Sequence, residues 1–346
     1  PDFSLLRYAR IKYYPVERIR GCGMDCEFCT VKGKPRPASP ERLIEQISNL
    51  VETRNAREFF VVDDLFGQQR EETLRLCSML SDYQQRTGVR LGFTVQIRLD
   101  KARDTQMLTA MRKAGVKAVA IGFESPLKED LDAMKKNLRP QDMIDLARTY
   151  HRFGFLVHGM FIFGYPPSDT VACKEVTVAR RVKEYKKFIR RARIDTIQIL
   201  LPVPLPGTEF RTRLQKDNRV FDLGSVGWEY YDGNFPLFEP DPPTTAEELL
   251  AGVQSIMGGF YRFPHLFMVG LHVLSFPSLL FWMHDLRAGW ERWYRLWRNS
   301  IVRYGGWIIL QGWISQFKKN SFTSRIAQAR RVRVKAIGKS LKEQSA

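Results

Sequence analysis

Six short apolar runs, each followed by a stretch of helical periodicity, constrain the fold of this chain more than any other feature. The runs are Val16–Ile19, Phe59–Val62, Leu91–Ile97, Val116–Phe123, Leu156–Phe163 and Ile194–Leu201. Most positions in each run are apolar, as is typical of parallel strands that are covered on both faces. Because strands that alternate with helices form parallel sheets, the pattern predicts an α/β fold.

The helical stretches can be read individually. Ser39 and Pro40 have the residue types of a helix cap and first turn, and a stripe of apolar residues follows. The repeated unit predicts an incomplete six-stranded (β/α)6 TIM-like barrel over residues 1–235. We predict a mainly helical C-terminal extension over residues 236–346, with the acidic, Pro-rich segment 235–243 as a linker or turn. Ligands of such barrels bind beyond the carboxyl ends of the strands.

Three of the five cysteines lie within eight residues, directly after the first run, in the segment RGCGMDCEFCTVKGKP. Cys22, Cys26 and Cys29 could turn their thiolates toward one point, and thiolates suit soft metals and iron–sulfur clusters. A structural zinc site needs four protein ligands, and no fourth Cys or His lies nearby. Three ligands leave one iron of a cubane open to a small molecule. The alternative is three unrelated thiols, two of them a redox pair.

The number and spacing of the cysteines also bear on the compartment. An odd number of cysteines with this clustering is a poor disulfide framework and favours a reducing compartment. Cys77, on the apolar stripe of a helix, and His158, within the fifth run, fit packed positions better than ligand positions. The two cysteines outside the loop, Cys77 and Cys173, are too few to hold a second cluster.

The cysteine segment, including Phe28 before the third cysteine, resembles the signature of the radical S-adenosylmethionine (SAM) superfamily. The resemblance extends over about residues 1–263, because FFVVDDLFG, TVQIRLD, AIGFESP, GMFIFGYP and LLPVPLPGT follow the later runs in turn. The stretches GWEYYDGNFPLFEP and TTAEELLAGVQSIMGGFY are similar to the segment after the barrel in the branch that carries a cobalamin-binding domain in front of it. Gly23 stands where many relatives have Pro, and the stretch after Cys29 is abbreviated.

This resemblance implies two cofactors and a set of site residues. It implies a 4Fe-4S cluster on the three cysteines, with S-adenosylmethionine on the open iron and cleaved to a 5'-deoxyadenosyl radical. Phe28 would lie against the adenine, Gly164 would let the backbone approach it, and Gln96, Arg98 and Glu124 would face the cofactor's polar groups. Asp63, Asp64 and Glu124 are the implied catalytic residues. Each carboxylate could instead cap the helix that follows it.

The net charge of +18 predicts attraction to a polyanion, either an anionic membrane or nucleic acid. Much of the excess lies after residue 285, where Trp290, Trp293 and Trp297 alternate with arginines. Such a pattern suits a lipid interface, stacking on single-stranded nucleic acid, or a helical subdomain with a solvated basic face. Residues 266–283 carry no charged side chain, but Pro277 and His272 weaken the case for a membrane span.

Together these features predict a radical SAM enzyme that modifies a bulky, apolar lipid, isoprenoid or tetrapyrrole. Cobalamin-dependent methylation of carbon would require a domain outside these residues, since no cobalamin-binding sequence is present in them. The expected location is the cytoplasm, where flavodoxin or ferredoxin would donate electrons. Through its C-terminal region the protein could also contact the inner face of the membrane. The alternatives are an RNA-modifying radical enzyme and a non-catalytic iron–sulfur protein.

Overall fold

The structure is a computed structural model that describes residues 3–6, 11–166, 176–262, 267, 303–315 and 322–344. Its strands are β1 (Tyr13–Val16), β2 (Ile19–Arg20), β3 (Arg36–Pro37), β4 (Glu58–Phe66), β5 (Gly92–Ile97), β6 (Val116–Glu124), β7 (Leu156–Ile162) and β8 (Thr196–Leu200). Six of them form one parallel sheet in the order β1-β4-β5-β6-β7-β8. This α/β architecture and its sequential strand order confirm the predicted fold class.

Helices follow the strands of the sheet in the predicted alternation. They are α1 (Pro40–Arg54), α2 (Arg70–Thr87), α3 (Thr105–Lys113), α4 (Lys128–Ala133), α5 (Pro140–Arg152), α6 (Val178–Ala192), α7 (Glu209–Lys216), α8 (Leu223–Val226), α9 (Ala246–Phe260), α10 (303–315) and α11 (Phe322–Gln344). The first begins as predicted, because the Ser39 hydroxyl accepts a hydrogen bond from the Arg42 amide and Pro40 occupies the first turn. Its buried stripe is Leu43, Ile47 and Val51.

The hydrophobic core lies between the outer face of the sheet and the helices. The central strands contribute Val95, Val119 and Val157 to this core. Helix α3 adds Met107 and Leu108, which are fully buried. Cys77 belongs to this core, and burial raises the pKa of its thiol to about 12, so its predicted packed position is confirmed. Burying a valine, leucine or methionine side chain contributes roughly 1.5–3 kcal/mol. The helices therefore fix the sheet, and its inner face is left for the site.

The first apolar run is divided between two strands, which the sequence analysis did not predict. Val16 ends β1 in the large sheet, whereas Ile19 begins β2, which pairs antiparallel with β3. The buried carboxylate of Asp63 causes the break, since it accepts hydrogen bonds from the backbone amides of Arg18 at 2.6 Å and Ile19 at 3.0 Å. The chain thus leaves the barrel sheet before it reaches the cysteines.

The segment predicted as a linker near residue 235 is packed. Phe235 and Leu237 are buried in a second apolar cluster with Phe322 and Ile326 of α11. Beyond it, α9 contributes Leu249 and its neighbours to the barrel core. The division into residues 1–235 and 236–346 stays a prediction, and these contacts join α9 to the barrel.

Several predictions concern residues outside the described part of the chain. They include Cys173, the uncharged stretch up to Met283 and the tryptophans from Trp290 to Trp297. Among the helices that the structure describes, none combines the length and apolar character needed to cross a membrane.

Candidate active site

The three cysteines lie on a loop, residues 21–35, whose two ends are joined by the β2–β3 pair. Gly21 has a φ of +85°, and a Cβ there would lie 3.0 Å from the Lys34 carbonyl oxygen, so the loop's closure requires glycine. Its amide donates a 2.6 Å hydrogen bond to Asp64, and Gln68 donates one of 2.6 Å to the Cys22 carbonyl. The end of β4 and the turn after it therefore hold the loop over the carboxyl ends of the strands.

Cys22, Cys26 and Cys29 are half-buried free thiols that line one cavity of about 300 Å³. The Val31 amide donates to the Cys29 sulfur at 3.3 Å. Burial raises the pKa of the Cys26 and Cys29 thiols, and for Cys29 the Val31 amide opposes this effect. Within the described residues, neither His nor a fourth Cys lines this cavity.

These residues fit an iron–sulfur cluster better than a single ion. No group of three His, Cys, Asp or Glu side chains in the described ranges converges closely enough to hold one metal ion. Each thiolate of a cubane binds a different iron, so the sulfurs of such a site stand apart rather than meeting at a point. Three soft donors around one cavity, with no fourth Cys or His, match a cluster that keeps one iron open to a ligand.

Most of the other predicted site residues line the same cavity. They are Phe28, Asp64, Gln96, Arg98 and Glu124. Phe28 lies on the cysteine loop, Asp64 on β4, Gln96 on β5, Arg98 directly after β5, and Glu124 at the end of β6. The fold thus brings together residues up to about 100 positions apart that the resemblance had named. Their specific roles stay predictions.

Asp63 and Asp64, adjacent in the sequence, point to opposite sides of β4. Asp64 lies at the cavity and holds the Gly21 amide. Asp63 is 2% exposed, lies away from the cavity lining and holds the Arg18 and Ile19 amides. Burial raises its pKa against the pull of these hydrogen bonds. Asp63 therefore anchors the chain after β1, and its expected catalytic role stays a prediction. Neither aspartate caps α2, whose cap position is Gln69.

Glu124 ends β6 with a φ of +60°, a conformation that is uncommon for any residue other than glycine. Its carboxylate forms an ion pair with Lys136 at 2.9 Å, and both side chains line the cavity. Burial disfavours the ammonium of Lys136, but Glu124 and Cys26 outweigh burial and hold its pKa above the usual value. Lys136 was not predicted, because it follows a short helix rather than a strand.

Gly164 follows β7 with a φ of +79°. It is not among the residues that line the cavity, and a Cβ at this position would lie 2.5 Å from a methyl group of Leu249. The glycine therefore lets α9 pack close to the end of β7. Its expected contact with an adenine stays a prediction.

A buried polar group behind the loop was also missed. Glu27, between Cys26 and Phe28, is 6% exposed and accepts a 2.5 Å hydrogen bond from the Tyr165 hydroxyl. Arg213 of α7 binds the same carboxylate through two nitrogens, at 2.8 and 3.1 Å. Buried charges need such partners, and this one fixes the loop between its second and third cysteines. No sequence signal joins residues that are 186 positions apart.

His158 lies on the inner face of β7, two residues before the cavity residue Met160. One ring nitrogen is 2.8 Å from the Thr196 hydroxyl. Burial lowers the pKa of the imidazole, although a hydrogen bond with Gln198 opposes the shift. The predicted hydrogen-bonded position of this histidine is confirmed.

Comparison with known proteins agrees with this geometry. Residues 16–172 match the family model of the Radical SAM superfamily. The chain is 28% identical over 225 residues to the hopanoid C-2 methylase of Rhodopseudomonas palustris, covering 64% of this chain and 41% of that protein. It is 23% identical over 273 residues to the anaerobic magnesium-protoporphyrin IX monomethyl ester cyclase of Rubrivivax gelatinosus, covering 76% and 45%. The chain thus spans less than half the length of these two relatives.

Two solved structures have the same fold. The methyltransferase TsrM of Kitasatospora setae, with cobalamin and a [4Fe-4S] cluster bound, superposes with a TM-score of 0.53 at 14% identity, covering 83% of this chain and 61% of that one. The cobalamin-dependent radical enzyme OxsB superposes with a TM-score of 0.52 at 14% identity, covering 92% and 49%.

Proposed function

Because residues 16–172 match the family model of the Radical SAM superfamily, we propose that the loop cysteines hold a 4Fe-4S cluster and that the adjoining cavity takes S-adenosylmethionine. When bound, these cofactors supply a 5'-deoxyadenosyl radical that abstracts hydrogen from an unactivated position. The observation that carries the proposal is the set of three half-buried thiols on one cavity, which neither His nor a further Cys lines in the described chain.

The chain's own residues have distinct tasks in this proposal. Cys22, Cys26 and Cys29 bind iron, and the ammonium of Lys136 offsets the negative charge that the thiolates bring. Gln96 and Glu124 hydrogen-bond the polar groups of the cofactor, while Phe28 packs on its adenine. Leu65, Ile97 and Leu138 line the cavity and exclude water from the reacting atoms.

We further propose that the substrate is a bulky, largely apolar molecule such as a lipid, isoprenoid or tetrapyrrole. Support comes from relatives whose names give hopanoid, magnesium-protoporphyrin and bacteriochlorophyllide substrates. Methyl transfer to carbon is the favoured reaction, with cobalamin supplied by a domain outside these residues, as the cobalamin-bound structural neighbours suggest. We place the protein in the reducing cytoplasm, where flavodoxin or ferredoxin would supply electrons.

Anaerobic reconstitution tests the proposal directly. The chain is loaded with iron and sulfide, reduced with dithionite, and incubated with S-adenosylmethionine. We expect about four irons per chain, a reduced-cluster electron paramagnetic resonance signal that changes on addition of S-adenosylmethionine, and 5'-deoxyadenosine as product. A stable cluster that neither responds to S-adenosylmethionine nor yields this product would favour a non-catalytic iron–sulfur protein.

A further inference from the structure

The outward face of α6 is almost entirely positive. This helix has seven basic residues and one acidic residue among its fifteen positions. Its exposed basic residues are Arg180, Lys183, Lys186, Lys187, Arg190 and Arg191. Tyr185, Phe188 and Ile189 are buried against the barrel, and Arg181 is buried in an ion pair with Asp130. One side of α6 therefore builds the core, while the other presents cations to the surroundings.

This arrangement costs the protein stability. Lys183 and Lys187, like Lys186 and Arg190, are four residues apart, and like charges at this spacing destabilise a helix by roughly 0.2–0.5 kcal/mol per pair. The carboxylate of Glu184 lies 3.9 Å from the ammonium of Lys187, which is long for an ion pair. A bound polyanion would remove this repulsion.

Helix α2 provides the contrast within the same barrel. Its charged residues are three basic and three acidic ones. Arg70 pairs with Glu71 and Asp104, and Arg75 pairs with Glu41 of α1. The excess of positive charge on α6 is thus not shared by α2. Helix α11 also has seven basic residues and one acidic residue, but Arg325, Arg330 and Arg333 on it form ion pairs with glutamates.

A basic cleft continues the positive face of α6. It measures about 590 Å³ and is lined by Asp145, Arg148, His151, Arg152 and Arg193. Arg148 is fixed by a 3.1 Å hydrogen bond to the Arg191 carbonyl, which ties α5 to α6. Within the described ranges, no acidic side chain forms an ion pair with any of these three arginines. Arg148 and Arg152 each donate a hydrogen bond to a neutral oxygen, so the cleft offers an anion guanidinium groups that are not neutralised by a described carboxylate.

The cleft lies at the end of the barrel opposite the cysteine loop. Arg152 precedes β7 and Arg193 precedes β8, so both lie at the amino ends of the strands. The five residues of β8 alone span roughly 17 Å. An electron donor bound here would be far from the cysteines, so electron delivery does not account for this surface.

Exposed apolar residues lie on α10, a helix that contacts the barrel near Arg193. Arg303, in the first described turn of α10, donates a 3.4 Å hydrogen bond to the carbonyl of Asp195, two residues after Arg193. On the same helix Ile308 and Ile309 are 52% and 75% exposed. Apolar side chains beside cations suit a bilayer surface, where the former enter the headgroup layer and the latter meet phosphates. A nucleic-acid backbone offers isoleucine no comparable partner.

We propose that the exposed face of α6, its adjoining arginine cleft and the isoleucines of α10 form a docking surface for an anionic phospholipid bilayer. This surface combines barrel helices α5 and α6 with α10 of the C-terminal region, and its use does not require the radical chemistry.

Vesicle sedimentation with the full chain tests this surface. Vesicles of phosphatidylcholine alone are compared with vesicles that also contain phosphatidylglycerol. We expect binding only to the latter, and about a hundredfold weaker binding by the Lys183→Gln/Lys187→Gln/Arg190→Gln variant, since each basic residue near an anionic surface contributes roughly 1 kcal/mol. The matched control, Arg42→Gln/Arg86→Gln/Arg90→Gln, removes the same charge from exposed positions on or beside α1 and α2 and should bind within about twofold of wild type.

Three results would overturn the proposal. They are equal binding to both vesicle types, wild-type binding by the α6 variant, and an equal loss in the control. A fourth such result is binding of a single-stranded RNA oligonucleotide but not of vesicles, with the loss of RNA binding confined to the α6 variant. The surface would then serve nucleic acid. Thermal unfolding at or above the wild-type temperature would show that the α6 variant is folded, since its like-charge repulsion is reduced.

Discussion

The cysteine loop and the barrel sheet beneath it are stabilised by different forces. The sheet is held by a large apolar core that is built from side chains of many strands and helices. The loop, residues 21–35, has little regular structure and depends on a few polar contacts: Asp64 with the Gly21 amide, Gln68 with the Cys22 carbonyl, and Arg213 with Glu27. A substitution on the sheet side should therefore change stability with little effect on cofactor binding, whereas one in the loop should reduce cofactor binding.

The largest effect is expected at the thiols. Cys26→Ala should reduce iron content after reconstitution to near background and abolish 5'-deoxyadenosine formation, because a cubane held by two thiolates is not retained. Its unfolding temperature should stay near that of the unloaded wild-type chain. The matched control is Cys77→Ala, which should lose roughly 1–2 kcal/mol of stability from the core yet bind the full amount of iron. Equal iron loss in both variants would contradict this separation.

Glu27→Ala is expected to rank second. It leaves the guanidinium of Arg213 without its bidentate partner, which should cost roughly 3 kcal/mol in free energy of unfolding. Because Glu27 lies between two cysteines, iron content should fall as well, whereas the more conservative Glu27→Gln should retain part of both. Urea denaturation and iron assay measure the two effects, with the exposed Glu45→Ala as control. Full iron content in a destabilised Glu27→Ala protein would mean that this contact serves the fold alone.

A pair of glycines tests the sheet side of the contrast. Gly164→Ala places a methyl group against Leu249 at a φ of +79°, so we expect a loss of roughly 2 kcal/mol. Gly258→Ala, within α9 with no atom near its Cβ position, should instead gain up to about 1 kcal/mol. Thermal or urea unfolding measures both. Iron content should be nearly unchanged in each, and a selective loss of S-adenosylmethionine binding in Gly164→Ala would support a cofactor role for this glycine.

The smallest effect concerns pH. Because burial lowers the pKa of His158, the unfolded chain takes up a proton more readily than the folded one as pH falls below the ordinary value of about 6.5. The folded state should therefore lose stability between neutral and mildly acidic pH. The loss should be absent at pH values above the pKa of His158 in the unfolded chain. His158→Gln, which can still bond the Thr196 hydroxyl, should weaken that dependence in unfolding curves recorded across this range. An unchanged pH profile would show that other groups control it.

The features that could be predicted from the sequence either recur along the chain, such as the strands, or lie close together in it, such as the three cysteines. Five of the six apolar runs became strands of the sheet, because a buried parallel strand favours apolar residues, although β4 continues four residues beyond its run through Asp63 and Asp64 to Phe66. The cavity residues Gln96, Arg98 and Glu124 were named by the family resemblance. Asp63 and Asp64 could not be told apart, since alternation along β4 decides which one faces the cavity. The pairs Glu27–Arg213 and Glu124–Lys136 depend on tertiary contacts that leave no periodic trace.

The contact between Glu27 and Arg213 has a consequence for how the protein is made. Residue 27 leaves the ribosome long before residue 213, and until the later residue emerges the carboxylate between the cysteines lacks the cation that holds it in place. The nascent N-terminal half thus carries three thiols on an incompletely anchored segment. Iron delivery to this chain should follow translation of α7, and the cellular machinery that assembles clusters would then meet a nearly finished barrel rather than an emerging peptide.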